Sequence, residues 1–121
     1  MPLNDFYTYK ILESGAGKIN ASITINDNHP VFEGHFPGNP VTPGVTQVEM
    51  IRKILSDYVG KPLMLTLAKS IKFSAAIIPT VNTEIMLTIK IKEDNNVYKT
   101  VCEIYSREKI FTKLNGTFSA N

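Results

Sequence analysis

GHFPGNPVTPG, residues 34–44, sets three prolines and three glycines around one histidine, His35. Proline fixes φ and removes a backbone donor, while glycine opens conformations closed to other residues, so neither a strand ladder nor a helix runs through such a stretch. A rigid, shaped loop is predicted. At its end the signals reverse. Thr42 reads as an N-cap, Pro43 suits the first helical position, and from Gly44 to about position 58 no breaker intervenes before Gly60 and Pro62. Val48, Ile51, Ile54, Leu55, Tyr58 and Val59 fall on one face at ~100° per residue, while Glu49, Lys53, Ser56 and Asp57 fall mostly on the other. The loop therefore leads into one helix with one buried face.

Outward from this helix the hydrophobic period is two. Ile19, Ala21, Ile23 and Ile25 alternate with Asn20, Ser22 and Thr24, and Ile85, Leu87, Ile89 and Ile91 alternate with Glu84, Thr88, Lys90 and Lys92. Strands are predicted over 7–13, 18–25, 63–73, 83–92, 97–105 and 110–118. Turns are predicted at Ser14-Gly15-Ala16-Gly17, Glu93-Asp94-Asn95-Asn96 and Arg107-Glu108-Lys109. Tight turns between neighbours imply an antiparallel meander. The fold class is α+β, with a mostly antiparallel sheet packed on one helix.

The 121 residues are expected to form one domain, 1–121, and 43% hydrophobic with 20% charged residues describes a globular chain that can bury a core. The formal charge of +2 comes from 13 basic and 11 acidic residues scattered along the chain, which argues against a nucleic-acid binder. Cys102, the one cysteine, has no internal disulfide partner, and the opening MPLNDFYTYK carries no apolar run of signal-peptide length. A cytoplasmic location without a membrane span is expected.

The loop and helix start hold the parts for acid–base chemistry beside a carbonyl. The Gly44 amide lies in the first helical turn, where no preceding carbonyl satisfies it, and the helix dipole adds positive charge there. A carbonyl oxygen docked at that point is polarised as negative charge builds on it. Histidine as a residue type titrates near neutrality, which suits His35 to this work, and Glu49, about a turn and a half into the helix, supplies a carboxyl group.

HFPGNPVTPGVTQVE resembles the signature of the β-hydroxyacyl-acyl-carrier-protein dehydratases of the FabZ and FabA kind: H-F-x-G-x-P-x-x-P-G, then a helix with an acidic residue fourteen positions after the histidine, as Glu49 stands to His35. VFEGHFPG and IKFSAAIIPTVNTEIMLTI are similar to the family's segments on either side, and the likeness covers roughly residues 10 to 119. The resemblance implies a hotdog fold, an antiparallel sheet wrapped around the central helix, in a homodimer with shared active sites or a higher oligomer built from it. It also implies a lyase of fatty acid or lipid metabolism that converts a 3-hydroxyacyl thioester on acyl carrier protein to the trans-2-enoyl thioester with loss of water, using no cofactor and no metal. By the same resemblance, His35 removes the α-proton, Glu49 of the partner subunit helps the β-hydroxyl leave, and the Gly44 amide binds the thioester carbonyl.

The loop residues fit that chemistry: Pro37, Pro40 and Pro43 stiffen the approach, Gly38 relieves the turn between the first two, and Phe36 anchors the loop from beneath. The chain departs from the family at Lys53, where the family carries glutamine, with Arg52 beside it; a cation one turn from Glu49 suits an acceptor better than a proton donor. Glu49 and Lys53 have the spacing of a surface ion pair. A hotdog thioesterase and a catalytically weak acyl-binding partner subunit are the alternatives. His29 reads as a turn residue before Pro30, Cys102 as a small core residue, and the lysines at 69, 72, 90 and 92 as solvated strand charges.

Overall fold

The computed structural model describes residues 6–26, 42–78, 84–107 and 109–120. Within these residues six strands and one helix follow one another as β1 (Tyr7–Gly15), β2 (Lys18–Ile25), α1 (Gly44–Val59), β3 (Met64–Phe73), β4 (Glu84–Asp94), β5 (Val97–Ser106) and β6 (Lys109–Ser119). All five pairings are antiparallel, and the order across the sheet is β1-β2-β4-β5-β6-β3. The hairpins between neighbours are as expected, but β3 is not beside β4: it crosses to the far edge and pairs with β6. Between β4 and β5 the turn residues Asn95 and Asn96 have φ of 52° and 65°, the left-handed conformation that a two-residue hairpin turn requires and asparagine tolerates.

Alternation along each strand decides the two faces of the sheet. Ile19, Ala21, Ile23, Ile85, Leu87, Ile89, Cys102 and Ile104 are fully buried and point to α1, which meets them with Met50, Ile51, Ile54 and Leu55. Each large aliphatic side chain removed from water in this way contributes on the order of 2 kcal/mol. Burial pushes the Cys102 thiol up to about 12, in keeping with a small core residue.

The helix is turned slightly from its expected orientation. Tyr58 is exposed instead of buried, and Ser56, expected on the polar face, is buried, because its Oγ accepts a hydrogen bond from Leu63 N at 3.1 Å. Gly60 ends the helix at φ 87°, and its N–H donates to the Ser56 carbonyl at 2.8 Å, a left-handed cap that a side chain would strain.

Candidate active site

The helix begins one residue later than the sequence suggests. Pro43, not Thr42, is the N-cap, with extended backbone (φ −61°, ψ 149°), and Gly44 is the first helical residue. Thr42 is held in the approach instead. Its N–H donates to the Ile77 carbonyl at 2.9 Å, and its carbonyl accepts from Gln47 Nε2 at 3.0 Å. Gln47 Oε1 in turn accepts from the hydroxyl of buried Thr112 on β6. A buried glutamine on the inner side of α1 thus ties the entrance of the helix to the sheet, a role the sequence reading missed. A polar residue inside the apolar stripe of 46–55 was its only signal.

Among the described residues no side chain caps the first turn of α1, and no acidic residue stands in that turn. The positive end of the helix dipole is therefore not offset by a carboxylate of its own first turn. Gly44 has a second use that the sequence concealed. A Cβ placed there would lie 2.7 Å from Cζ of Phe73, so the missing side chain makes room for an aromatic ring from the end of β3. Phe73 is half exposed and Val45, the next helical residue, is largely exposed, so the helix start carries an apolar surface.

Glu49 projects from the same helix and is partly buried. Its partner is not Lys53. Arg52, three residues on, donates through Nε to Oε1 at 2.7 Å and to Oε2 at 2.9 Å, and through Nη2 to Oε1, while its Nη1 donates to the Leu63 carbonyl at 3.0 Å. Lys53 turns the other way and meets Asp57 at 3.0 Å. The expected Glu49–Lys53 pair is thus replaced by two others, because guanidinium reaches both carboxylate oxygens at i, i+3 where ammonium offers one point contact.

β1 closes this surface. The Tyr9 hydroxyl donates to Asp57 Oδ2 at 2.5 Å, and Tyr7 and Tyr9 stack with ring centroids 6.4 Å apart. Burial pushes the Tyr7 phenol up to about 12, with the charges of Glu49 and Asp57 adding to it; burial and the hydrogen bond to Asp57 do the same for Tyr9. Burial alone would raise the Asp57 carboxyl, but hydrogen bonds from Tyr9 and Lys53 outweigh it and hold the group below the ordinary range. The hydrogen bond to Glu49 raises Arg52 further.

Of the residues singled out in the sequence, the structure places Gly44 and Glu49 on one helix, with Pro43 as its N-cap. His35, Phe36, Pro37 and Gly38 lie outside the described residues, as does His29. Among the described residues no three His, Cys, Asp or Glu side chains group closely enough to hold a metal ion, and no helix is long and apolar enough to cross a membrane.

Among the described residues, one long helix laid against a six-stranded antiparallel sheet is the hotdog arrangement. The chain belongs to the ApeI-like family: the family's pattern, described as ApeI dehydratase, matches residues 12–113. Among its relatives, the 3-hydroxyacyl-(acyl-carrier-protein) dehydratase FabZ of Lactobacillus helveticus is 33% identical over 104 residues, 80% of this chain and 68% of that one. The FabZ of Syntrophobacter fumaroxidans is 28% identical over 110 residues, 84% and 74% of the two chains. In three dimensions the fold is similar to that of the dehydratase heterocomplex ApeI:P from Xenorhabdus doucetiae, with a TM-score of 0.71 at 14% identity over 93% of this chain and 95% of that one.

Proposed function

We propose that the protein dehydrates a 3-hydroxyacyl thioester carried on acyl carrier protein, giving the trans-2-enoyl thioester and water. The observation that carries this reading is the start of α1, where among the described residues no side chain caps the first-turn amides and no acidic residue of that turn offsets the helix dipole. The thioester oxygen docks at the Gly44 amide, which stabilises the enolate as it forms. His35 takes the α-proton, the electron pair of that C–H bond becomes the new double bond, and the C–O bond at the β-carbon breaks. Glu49 of the partner subunit orients the β-hydroxyl, which takes up the proton that His35 has removed and leaves as water, so both side chains return to their starting state. The exposed ring of Phe73 and the side chain of Val45 offer the acyl chain an apolar surface beside the oxyanion site. Membership of a dehydratase family and the relatives' activity on carrier-protein substrates support the assignment.

The test is incubation of the purified protein with 3-hydroxyacyl-acyl carrier protein, followed by mass spectrometry of the carrier. Loss of one water, reversed on adding the enoyl form, is the expected result. Release of free acid without an enoyl product would assign a thioesterase instead, and binding without turnover would assign an acyl-binding partner subunit.

A further inference from the structure

Gln47 holds two consecutive carbonyls at the entrance of α1. Its backbone N–H donates to the Pro43 carbonyl at 3.1 Å, and its side chain donates through Nε2 to the Thr42 carbonyl at 3.0 Å. The peptide units on either side of Pro43 are therefore both fixed by one residue. Between those two planar units lie only the φ and ψ of Pro43. The pyrrolidine ring locks φ, here −61°, so ψ, at 149°, is the one soft angle left, and Gln47 sets it.

That angle decides where the Gly44 amide points. In a planar trans peptide the N–H of Gly44 lies in the plane of the Pro43 carbonyl and opposite to it. With that carbonyl turned into the helix toward Gln47, the N–H is directed out of the helix start, where no carbonyl of α1 can reach it. A rotation about ψ of Pro43 swings it off that line.

Gln47 is itself held in place. Its Oε1 accepts from the Thr112 hydroxyl on β6, while Thr42 is anchored from its other side by its N–H, which donates to the Ile77 carbonyl at 2.9 Å. The side-chain amide has one workable orientation: a carbonyl only accepts, so Nε2 faces Thr42 and Oε1 faces the hydroxyl that donates to it. Thr42, Gln47 and Thr112 are all buried, so water does not compete for these bonds. The register sets Thr112 opposite Phe73, whose ring lies against Gly44, so one cross-strand pair bears on the helix start twice. We infer that Gln47 is a positioning residue that, through the Thr42 and Pro43 carbonyls, aims the Gly44 N–H at the thioester oxygen. The inference rests on the proposed reaction for the identity of that oxygen.

Gln47→Leu is measured in two ways. Steady-state kinetics on 3-hydroxyacyl-acyl carrier protein should show kcat lowered roughly tenfold to a hundredfold with KM within about twofold, since a misaimed oxyanion donor acts on the transition state. Adding Thr112→Val should recover part of the stability and leave kcat low, because the Thr42 carbonyl is still unheld. Infrared difference spectra are then taken with a saturated acyl thioester, isotope-labelled at its carbonyl carbon, which lacks the β-hydroxyl and cannot eliminate. The wild type should lower the carbonyl stretch below its value in solution, and Gln47→Leu should return it most of the way. Should Gln47→Leu fail to fold, Thr112→Val alone loosens Gln47 without changing shape and should lower kcat roughly threefold to tenfold at unchanged KM.

Thr100→Val breaks a buried hydrogen bond to the Gly116 carbonyl, four residues along β6 from Thr112, and serves as the control for stability: it should melt lower with kcat and the carbonyl band unchanged. A band that shifts in the wild type and reverts in Gln47→Leu, without any enoyl product, keeps the role of Gln47 and removes the dehydratase reading. Dehydration with kcat unchanged in Gln47→Leu or Thr112→Val, kcat restored along with stability in the double variant, an unshifted band in the wild type, or equal losses in Thr100→Val overturns the role of Gln47.

Discussion

Arg52 grips both carboxylate oxygens of Glu49 and is itself anchored on the Leu63 carbonyl, so the carboxyl group proposed for catalysis is held in one orientation by the turn that follows it. In the proposed reaction this makes Arg52 a positioning residue for Glu49. Arg52→Gln should lower kcat roughly tenfold to a hundredfold with KM little changed, because misplacement of a reacting group acts on the chemical step. Arg52→Lys should not restore the rate, since ammonium cannot form the two-oxygen fork. Both groups are partly exposed, so the folded protein should lose only ~0.3–0.5 kcal/mol. Steady-state kinetics on the two variants, with a thermal melt of each, checks this, and a change in KM alone would remove the positioning role.

His35→Ala is expected to lower the interconversion of 3-hydroxyacyl and enoyl thioesters by a factor of ~10²–10⁴, the usual contribution of a general base, with the melting temperature unchanged. If the sites are shared between subunits, mixed dimers of His35→Ala and Glu49→Ala chains regain activity, because one of their two sites is then intact. Absence of recovery when both variants fold and exchange subunits would refute the sharing.

The Phe73 ring gives Gly44→Ala a structural cost separable from its catalytic one. A methyl group 2.7 Å from Cζ forces the ring aside, and because the half-exposed ring can turn toward solvent the loss of stability should stay below ~1 kcal/mol. Adding Phe73→Ala should recover most of that loss. If chemical denaturation finds Gly44→Ala neutral, or the double variant no better than the single, the glycine is not there to admit the ring.

Gln47→Leu should destabilise the chain by ~1–3 kcal/mol, since it strands the Thr112 hydroxyl and the Thr42 carbonyl in a buried setting. Pairing it with Thr112→Val removes one of the two stranded groups and should recover part of the loss. A denaturant melt of the single and double variants decides between this network and a simple packing role.

Alkaline unfolding should follow from three raised groups. Each stays neutral in the folded chain above the pH at which it loses its proton in the unfolded one. Its contribution is whole below the unfolded value and is lost as pH rises: from 9.0 toward about 12 for Cys102, and from 10.0 toward about 12 for Tyr7 and Tyr9. Stability is expected to fall between pH 9 and 12, and Tyr7→Phe with Tyr9→Phe should flatten the fall above pH 10. At the acid end the sign reverses. Asp57 is held low, so its contribution is present above the unfolded value of 3.8 and is lost as pH falls below it. Asp57→Asn should blunt that acid loss in a pH series of melts.

Period-two alternation in 18–25 and 84–92 was enough to place strands and their buried faces, because side chains alternate across a sheet whatever its neighbours are. Pro43, Gly44 and Gly60 likewise marked the ends of the helix to within a residue, since proline and glycine act through their own backbone. What lay beyond the sequence depended on partners far along the chain. β3 pairs with β6 some fifty residues later, so its edge position could not be read locally. The choice of Arg52 over Lys53 as the partner of Glu49 turned on side-chain reach and on an anchor at Leu63. Gly44 was legible as a helix start by its place after Pro43, but only the arrival of Phe73 from another strand revealed what its missing side chain accommodates.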